Sequence, residues 1–269
     1  RAGRSKCGAA RWTNKMARKA EARKGGVSVP YLGGALEMQR IQRTLEVLAQ
    51  RLGLFGVLAD PSMSIAEIVA LQGVGGSDYK PLRVLLPEGT WSFGAAGVTV
   101  SRSDVHFEAI GSGRTVFQRT VAATTAPMLT LAGSGCRLAG VRVEDASTAH
   151  PAIKVSQRFC RVLDCFVTDC WRAFEGNAAT VLRLADLTIS AQRDTTYQVL
   201  LSGNMTHAIV SRISSFSAVG QTLIRADDGI AKSSFSACTS SGLTFVLDYK
   251  TSGATGNVEA ANVGTVNAR

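Results

Sequence analysis

Beyond residue 83, apolar residues alternate with small polar ones in short runs, and Gly, Ser, Asn or Asp separates each run from the next. Period-two alternation predicts strands with one buried face. Three runs are near copies: Arg137-Leu-Ala-Gly-Val-Arg-Val143, Arg161-Val-Leu-Asp-Cys-Phe-Val167 and Arg183-Leu-Ala-Asp-Leu-Thr-Ile189. Glu259-Ala-Ala-Asn-Val-Gly-Thr265 has the same shape, and Ile209-Val-Ser-Arg-Ile-Ser-Ser215 and Ile230-Ala-Lys-Ser-Ser-Phe-Ser236 are looser copies. A self-similar period of roughly 20 to 30 residues marks a solenoid, in which each unit buries its apolar face against its neighbours. Leucine-rich repeats need a denser Leu framework, and helical repeats need an unbroken 3.6-residue periodicity; neither is present. What remains is a parallel β-helix of about three strands per turn, with room for about seven or eight turns. This coiling predicts that Cys136 and Cys160 stack. It also places the Gly, Asp or Asn at the fourth repeat position in a turn that suits a left-handed backbone.

Ahead of the repeats the period changes. From about Ala35 to Leu54, apolar residues fall at Met38, Ile41, Leu45, Leu48, Leu52 and Phe55. Gaps of three and four alternate, as in a heptad seam. About two and a half heptads are too short for an isolated coiled coil, but they can gather subunits held together elsewhere. A helix packed on its own domain would carry the same stripe. Leu36, Val47 and Leu54 lie off it, which fits a contact wider than a two-stranded seam. A second short helix is predicted from Ser64, through Ile65, Ile68, Val69 and Leu71, leading into Gly73-Val-Gly-Gly-Ser77. The organisation expected is a basic arm over 1–26, a helical oligomerisation neck over 27–62 and a capped β-helix over 63–269.

The net charge of +10 belongs to the arm: residues 1–24 hold nine Arg or Lys against the single acid Glu21. The body is close to neutral. Arg11, Trp12, Lys15, Arg18, Lys19, Arg23 and Lys24 form a docking arm on this reading, with Trp12 as an anchor for a protein pocket. Phosphate attraction would serve nucleic acid, but a solvated tail, or one that orders against a neighbouring protein, is expected at least as much. The six cysteines show no CxxC pair and read as small buried side chains, not a metal site. No apolar run approaches the ~18 residues of a membrane span, and no signal-peptide core is present. Synthesis in a cytoplasm without the usual export is expected.

Val84-Leu-Leu-Pro-Glu-Gly-Thr-Trp-Ser-Phe93 resembles the opening strand of the pectin-lyase-like superfamily of right-handed parallel β-helices. Ser64–Leu71 resembles that family's N-terminal cap, shortened, and Ser103-Asp-Val-His-Phe-Glu-Ala-Ile-Gly-Ser-Gly-Arg-Thr-Val-Phe117 resembles its next turn. The resemblance covers about residues 62–269 and implies a mainly β fold. It implies little about function, because the fold hosts lyases, hydrolases and inert spikes. The family's Gly-His-Gly and Arg-Ile-Lys hydrolase motifs are absent, so His106, His150 and His207 read as turn or surface residues. The best acids for a glycosidase pair are Asp164 and Asp169, with Glu175 near, and Asp227 and Asp228. Asp145, Asp169 and Asp194, one turn apart in sequence, can line up as a calcium-lyase face. Turn chemistry alone repeats acids in this way, so no catalytic, cofactor or metal site is assigned. Trp91, Trp171, Tyr197 and Tyr249 are candidates for stacking on sugars, with turn or subunit contacts as the alternative.

A heptad neck, a small capped β-helix and no catalytic set resemble the spikes, fibres and tail or baseplate proteins of tailed phages and phage-like particles. That resemblance implies a non-enzymatic virion protein: a homotrimer, docked on other virion proteins through its N-terminal segment, and in contact with host polysaccharide. The alternative is a polysaccharide depolymerase using acids on the β-helix face.

Overall fold

A computed structural model describes residues 56–60, 63–71, 82–111, 113–177, 181–190, 192–194, 196–216, 222–227, 229–241, 243–249, 257–260, 262 and 266–267. The docking arm and the six neck positions from Met38 to Phe55 lie outside the described residues, as does Asp228. The chain divides into Arg1–Leu54 and Phe55–Arg269, and every described residue belongs to the second unit.

That unit is a parallel β-solenoid of about 6 turns. Each turn climbs through three short strands. One wall stacks β1 (Gly56–Leu58), β2 (Leu82–Leu86), β5 (Val105–Ala109), β8 (Arg137–Ala139), β11 (Arg161–Thr168), β13 (Arg183–Ser190), β15 (Ile209–Ser215), β17 (Ser234–Ser236) and β20 (Val258–Ala260). A second wall, bent away from the first, stacks β3 (Gly89–Ser92), β6 (Thr115–Arg119) and β9 (Arg142–Asp145). It continues through the far halves of β11, β13 and β15 to β18 (Thr239–Ser240). The third wall is a separate sheet of β4 (Val98–Val100), β7 (Leu129–Leu131), β10 (Pro151–Val155), β12 (Arg172–Asn177), β14 (Tyr197–Ser202), β16 (Thr222–Ala226), β19 (Phe245–Tyr249) and β21 (Val266–Asn267).

The alternation sends one column of each wall inward. Val84, Phe107, Leu138, Val162, Leu184, Val210 and Phe235 are in register on the first wall, and all are buried. Trp91, Phe117, Val143, Val167 and Ile189 do the same on the second. On the third, Leu129, Ile153, Phe174, Val199, Ile224 and Leu247 follow one another. Trp91 is 2% exposed, so this candidate sugar platform is a core residue. Tyr249 is buried as well, edge-on to Phe235 with ring centroids 6.0 Å apart.

The bend between the first two walls falls at the fourth repeat position. Asp164 (φ 50°), Asp186 (φ 58°), Arg212 (φ 51°) and Ala237 (φ 52°) are all left-handed there, in line with Gly140 (φ 74°). Asp tolerates this backbone through local hydrogen bonding, and Gly adopts it without a Cβ penalty. A second left-handed column precedes the first wall: Asp104, Gly135, Phe159, Val181, His207 and Lys232. Its N–H groups reach the next coil, as in Val181 to the Thr206 carbonyl at 2.9 Å. His207 is therefore an exposed turn residue.

Register corrects two of the copies read from sequence. Ile209 pairs with Ser234, so the fifth copy is Ser234–Ser240 and not the run beginning at Ile230. Ser234 pairs with Val258, so the last repeat starts one residue before Glu259. The bend position decides both cases, because a residue shift would put Phe235 outside. The count of seven or eight turns also falls. His106 pairs with Arg137, a turn of 31 residues against 22 between Arg161 and Arg183, because the chain makes an excursion after β6.

The first coil is covered from two sides. The helix α1 (Ile65–Leu71) contacts β4, and β1 pairs with β2, which places a coil strand seven residues ahead of the boundary at 63. α1 starts with a capping box. Ser64 Oγ accepts from the Glu67 N–H (3.2 Å), and Glu67 Oε2 accepts from the Ser64 N–H (2.7 Å). The Ser64 N–H, and after it the Ser64 hydroxyl donating to the same Oε2 (2.9 Å), hold the Glu67 carboxyl below its ordinary range. Ile65 and Ile68 are buried.

Candidate functional site

Acidic side chains at strand ends were the sequence's best candidates for chemistry, and the register places each of them. Asp164 sits at the wall-to-wall bend and is exposed. Asp169 follows β11, five residues on, so an extended segment of about 15 Å separates the two Cα atoms. That exceeds what a glycosidase pair bridges. Asp227 follows β16, at the opposite end of the third wall from Asp169, and accepts from Arg225 Nε (3.2 Å). Asp164, Asp169 and Asp227 therefore do not converge.

The proposed acidic face of Asp145, Asp169 and Asp194 also comes apart. Thr168 pairs with Glu144, which puts Asp169 level with Asp145. The Asp194 N–H, however, donates to the Trp171 carbonyl (2.7 Å), which aligns Asp194 with Arg172 and not with Asp169. Asp145 and Asp194 are each neutralised by the arginine stacked on the adjacent coil. Arg119 grips Asp145 through two bonds of 2.8 Å, and both side chains are wholly buried. Arg172 donates to Asp194 Oδ2 from Nε (3.0 Å) and Nη2 (2.8 Å) and reaches Glu175 at 3.3 Å. Among the described residues no cluster of three His, Cys, Asp or Glu fits a metal ion.

What the sequence missed is the groove over the Arg119–Asp145 pair, where the second wall turns toward the third. It encloses about 250 Å³ and is lined by Gln118, Arg119, Thr120, Glu144, Asp145, Ala146, Asp169 and Arg193. Gln118 pairs with Glu144 across coils and donates to its Oε2 (2.9 Å); Arg142 lies 2.7 Å from Oε1. Glu144 and Asp169 are one residue out of register on neighbouring coils, so their Cα atoms are about 6 Å apart. A carboxylate pair with a cation at its rim could grip or cleave a sugar chain, but Glu144 is already engaged by Arg142 and Gln118. No local sequence signal marks this groove, because Glu144 and Asp169 belong to different repeats.

Of the aromatic candidates, Trp171 and Tyr197 lie together. Tyr197 is on the coil after Arg172, and the Arg172 guanidinium carbon is 4.2 Å from each ring centroid. The arginine occupies the space between the faces, so the two rings do not form an open platform.

The cysteines follow the stacking read from the repeats: Cys136 and Cys160 are adjacent on consecutive coils and fully buried. Each thiol donates to a carbonyl, Cys136 to Arg102 and Cys160 to Gly133, both at 3.3 Å. Burial pushes Cys165 up to about 12 and Cys170 well above the ordinary thiol range. No helix among the described residues is long and apolar enough to cross a membrane.

No protein-family model and no curated protein sequence matches the chain. Among solved structures, the catalytic domain of a GH87 α-1,3-glucanase, in complex with nigerose, aligns over 77% of this chain and 44% of its own at a TM-score of 0.53 and 12% identity. ORF18 of Geobacillus virus E2 aligns over 89% of this chain and 65% of its own, at 0.48 and 10%. The A-module of Azotobacter vinelandii mannuronan C-5 epimerase AlgE4 gives 0.27 and 11% over 78% of this chain. The chain thus spans less than two thirds of the length of the first two. With the register and wall geometry above, the glucanase likeness settles the fold: a right-handed parallel β-helix.

Proposed function

We propose that this chain is a structural or receptor-binding virion component, a projecting β-helix that contacts host polysaccharide without cleaving it. One observation carries the reading: the candidate acids are scattered over separate corners, and Asp145 and Asp194 are already neutralised by stacked arginines. On this reading the N-terminal segment docks on other virion proteins, the heptad stripe gathers three copies, and the protein resides in the virion.

A depolymerase is the second reading, favoured by the groove that brings Glu144 and Asp169 onto adjacent coils. The test is incubation of the purified chain with capsular polysaccharides and lipopolysaccharides, followed by assay for new reducing or unsaturated ends. No cleavage is expected. Cleavage abolished by Asp169→Asn or Glu144→Gln would overturn the non-enzymatic reading.

A further inference from the structure

The first position of the repeat is an arginine three times running, and the coil turns that sequence coincidence into a column. Arg83, His106, Arg137, Arg161 and Arg183 are successive register partners on the outward side of the first wall. Neighbouring members are about 4.8 Å apart, the strand spacing. Glu108 alone serves the lower end, within ion-pair distance of both Arg83 and Arg137 (3.3 Å). Arg161 and Arg183 are exposed, and neither has a carboxylate within ion-pair distance among the described residues. Like charges directly opposite one another on adjacent strands are destabilising, so the fold alone gives no reason for this arrangement.

A second feature runs alongside. Two residues before Arg137, Arg161 and Arg183 the backbone is left-handed; Gly135 holds the first of these positions, and Phe159 (51% exposed) and Val181 (37% exposed) hold the next two. A bulky or β-branched side chain in this conformation costs about 1–2 kcal/mol. Here the strain holds apolar side chains out in solvent beside guanidinium groups. Arg158 adds a further cation, 5.8 Å from the Phe159 ring centroid.

We propose that this strip binds an anionic polysaccharide running along the coil axis, with Arg161 and Arg183 on its carboxylates and Phe159 and Val181 against the apolar faces of its sugar rings. The inference rests on the glycan-contacting reading above and narrows it to an acidic glycan. An extended chain of pyranose rings advances by close to one strand spacing per residue, so charges on successive sugars match successive arginines. Duplex nucleic acid places a charge about every 3.4 Å on each strand and lacks the apolar ring faces, so it fits the column poorly.

The test compares the full chain with R161Q/R183Q, titrating each with polyglucuronate, which carries a carboxylate on every sugar, with neutral dextran and with duplex DNA over a range of salt. The N-terminal arm is common to both proteins, so only their difference reports the column. Polyglucuronate affinity is expected to fall about tenfold in R161Q/R183Q, with a salt dependence shallower by about two ions. The melting temperature should stay level or rise as like-charge repulsion is relieved. R161K/R183K should keep most of the affinity, and dextran should bind weakly to all three. Polyglucuronate binding unchanged by R161Q/R183Q, or absent from the parent chain, would overturn the inference. So would a larger loss for DNA than for polyglucuronate. Dextran binding that is equal in all three proteins and as tight as polyglucuronate binding would sink the acidic-glycan inference while leaving glycan contact itself standing.

Discussion

Replacing Asp145 with Asn strips one charge from a pair that has no solvent to turn to. Both side chains are wholly buried, and Arg119 keeps its other contacts, Nη1 to the Ala126 carbonyl (2.9 Å) and the Ala95 carbonyl (3.4 Å). Asn is close to isosteric and can still accept the Ser147 N–H that Asp145 Oδ1 receives at 3.0 Å. What changes is the compensation of a buried guanidinium, which costs about 3–5 kcal/mol when one partner of such a pair is removed. For a unit of this size 1 kcal/mol moves the melting temperature by about 2–4 °C, so a fall of about 6–20 °C is expected. The assay is urea and thermal unfolding followed by far-UV circular dichroism. R119M/D145L belongs beside the single variant, because two apolar side chains in place of the pair should recover most of the loss. A cost below about 1 kcal/mol for Asp145→Asn, or a double variant no better than the single, would refute the reasoning and place water in the groove floor.

Three further outcomes are expected from the same packing. Gly133→Ala should unfold the protein or cost more than about 4 kcal/mol, since its Cβ would stand 1.9 Å from the Arg102 carbonyl oxygen; Gly140→Asp, at the bend that Asp164 and Asp186 also occupy, should cost about 1 kcal/mol or less. Stability should fall on acidification through the histidine range, as measured by urea midpoints. Burial lowers the His106 pKa, so the unfolded chain binds the extra proton; the contribution is present above the ordinary histidine pKa and lost as pH falls through the lowered one. His106→Gln should flatten that dependence, and an unchanged slope would exclude His106 as its source. Cys165 and Cys170 should resist iodoacetamide at pH 8 in the folded protein and react once urea unfolds it, read by peptide mass; reaction at the folded protein's surface would contradict their burial.

The coil was legible because its determinants are local and repeated: Arg137, Arg161 and Arg183 open three copies with the same inward Leu or Val and the same turn at position four. Ile209–Ser215 was still read in register, but the copy after it was misaligned where that turn carries Ala237, a residue with no left-handed preference, leaving only hydrophobicity to set the register. Candidate chemistry was harder to see. A groove between coils takes Gln118, Glu144 and Asp169 from three different turns, and their meeting depends on turn lengths that vary from 22 to 31 residues. Asp145 and Asp194 looked available because a carboxylate's burial against a stacked arginine leaves no mark in its own neighbourhood of sequence. Trp91 and Trp171 were equivalent as letters; one fills the core, and the other lies against Arg172.

The excursion after β6 makes the turn between β5 and β8 the longest in the coil, yet the strands on either side keep their register. Length added at that corner leaves the pitch of the spiral alone, whereas one residue added within a strand would turn the rest of that strand inside out. The corners are therefore where such a shaft can change what it touches while its axis stays the same, and residues 121–125 are the place in this chain to graft a new contact.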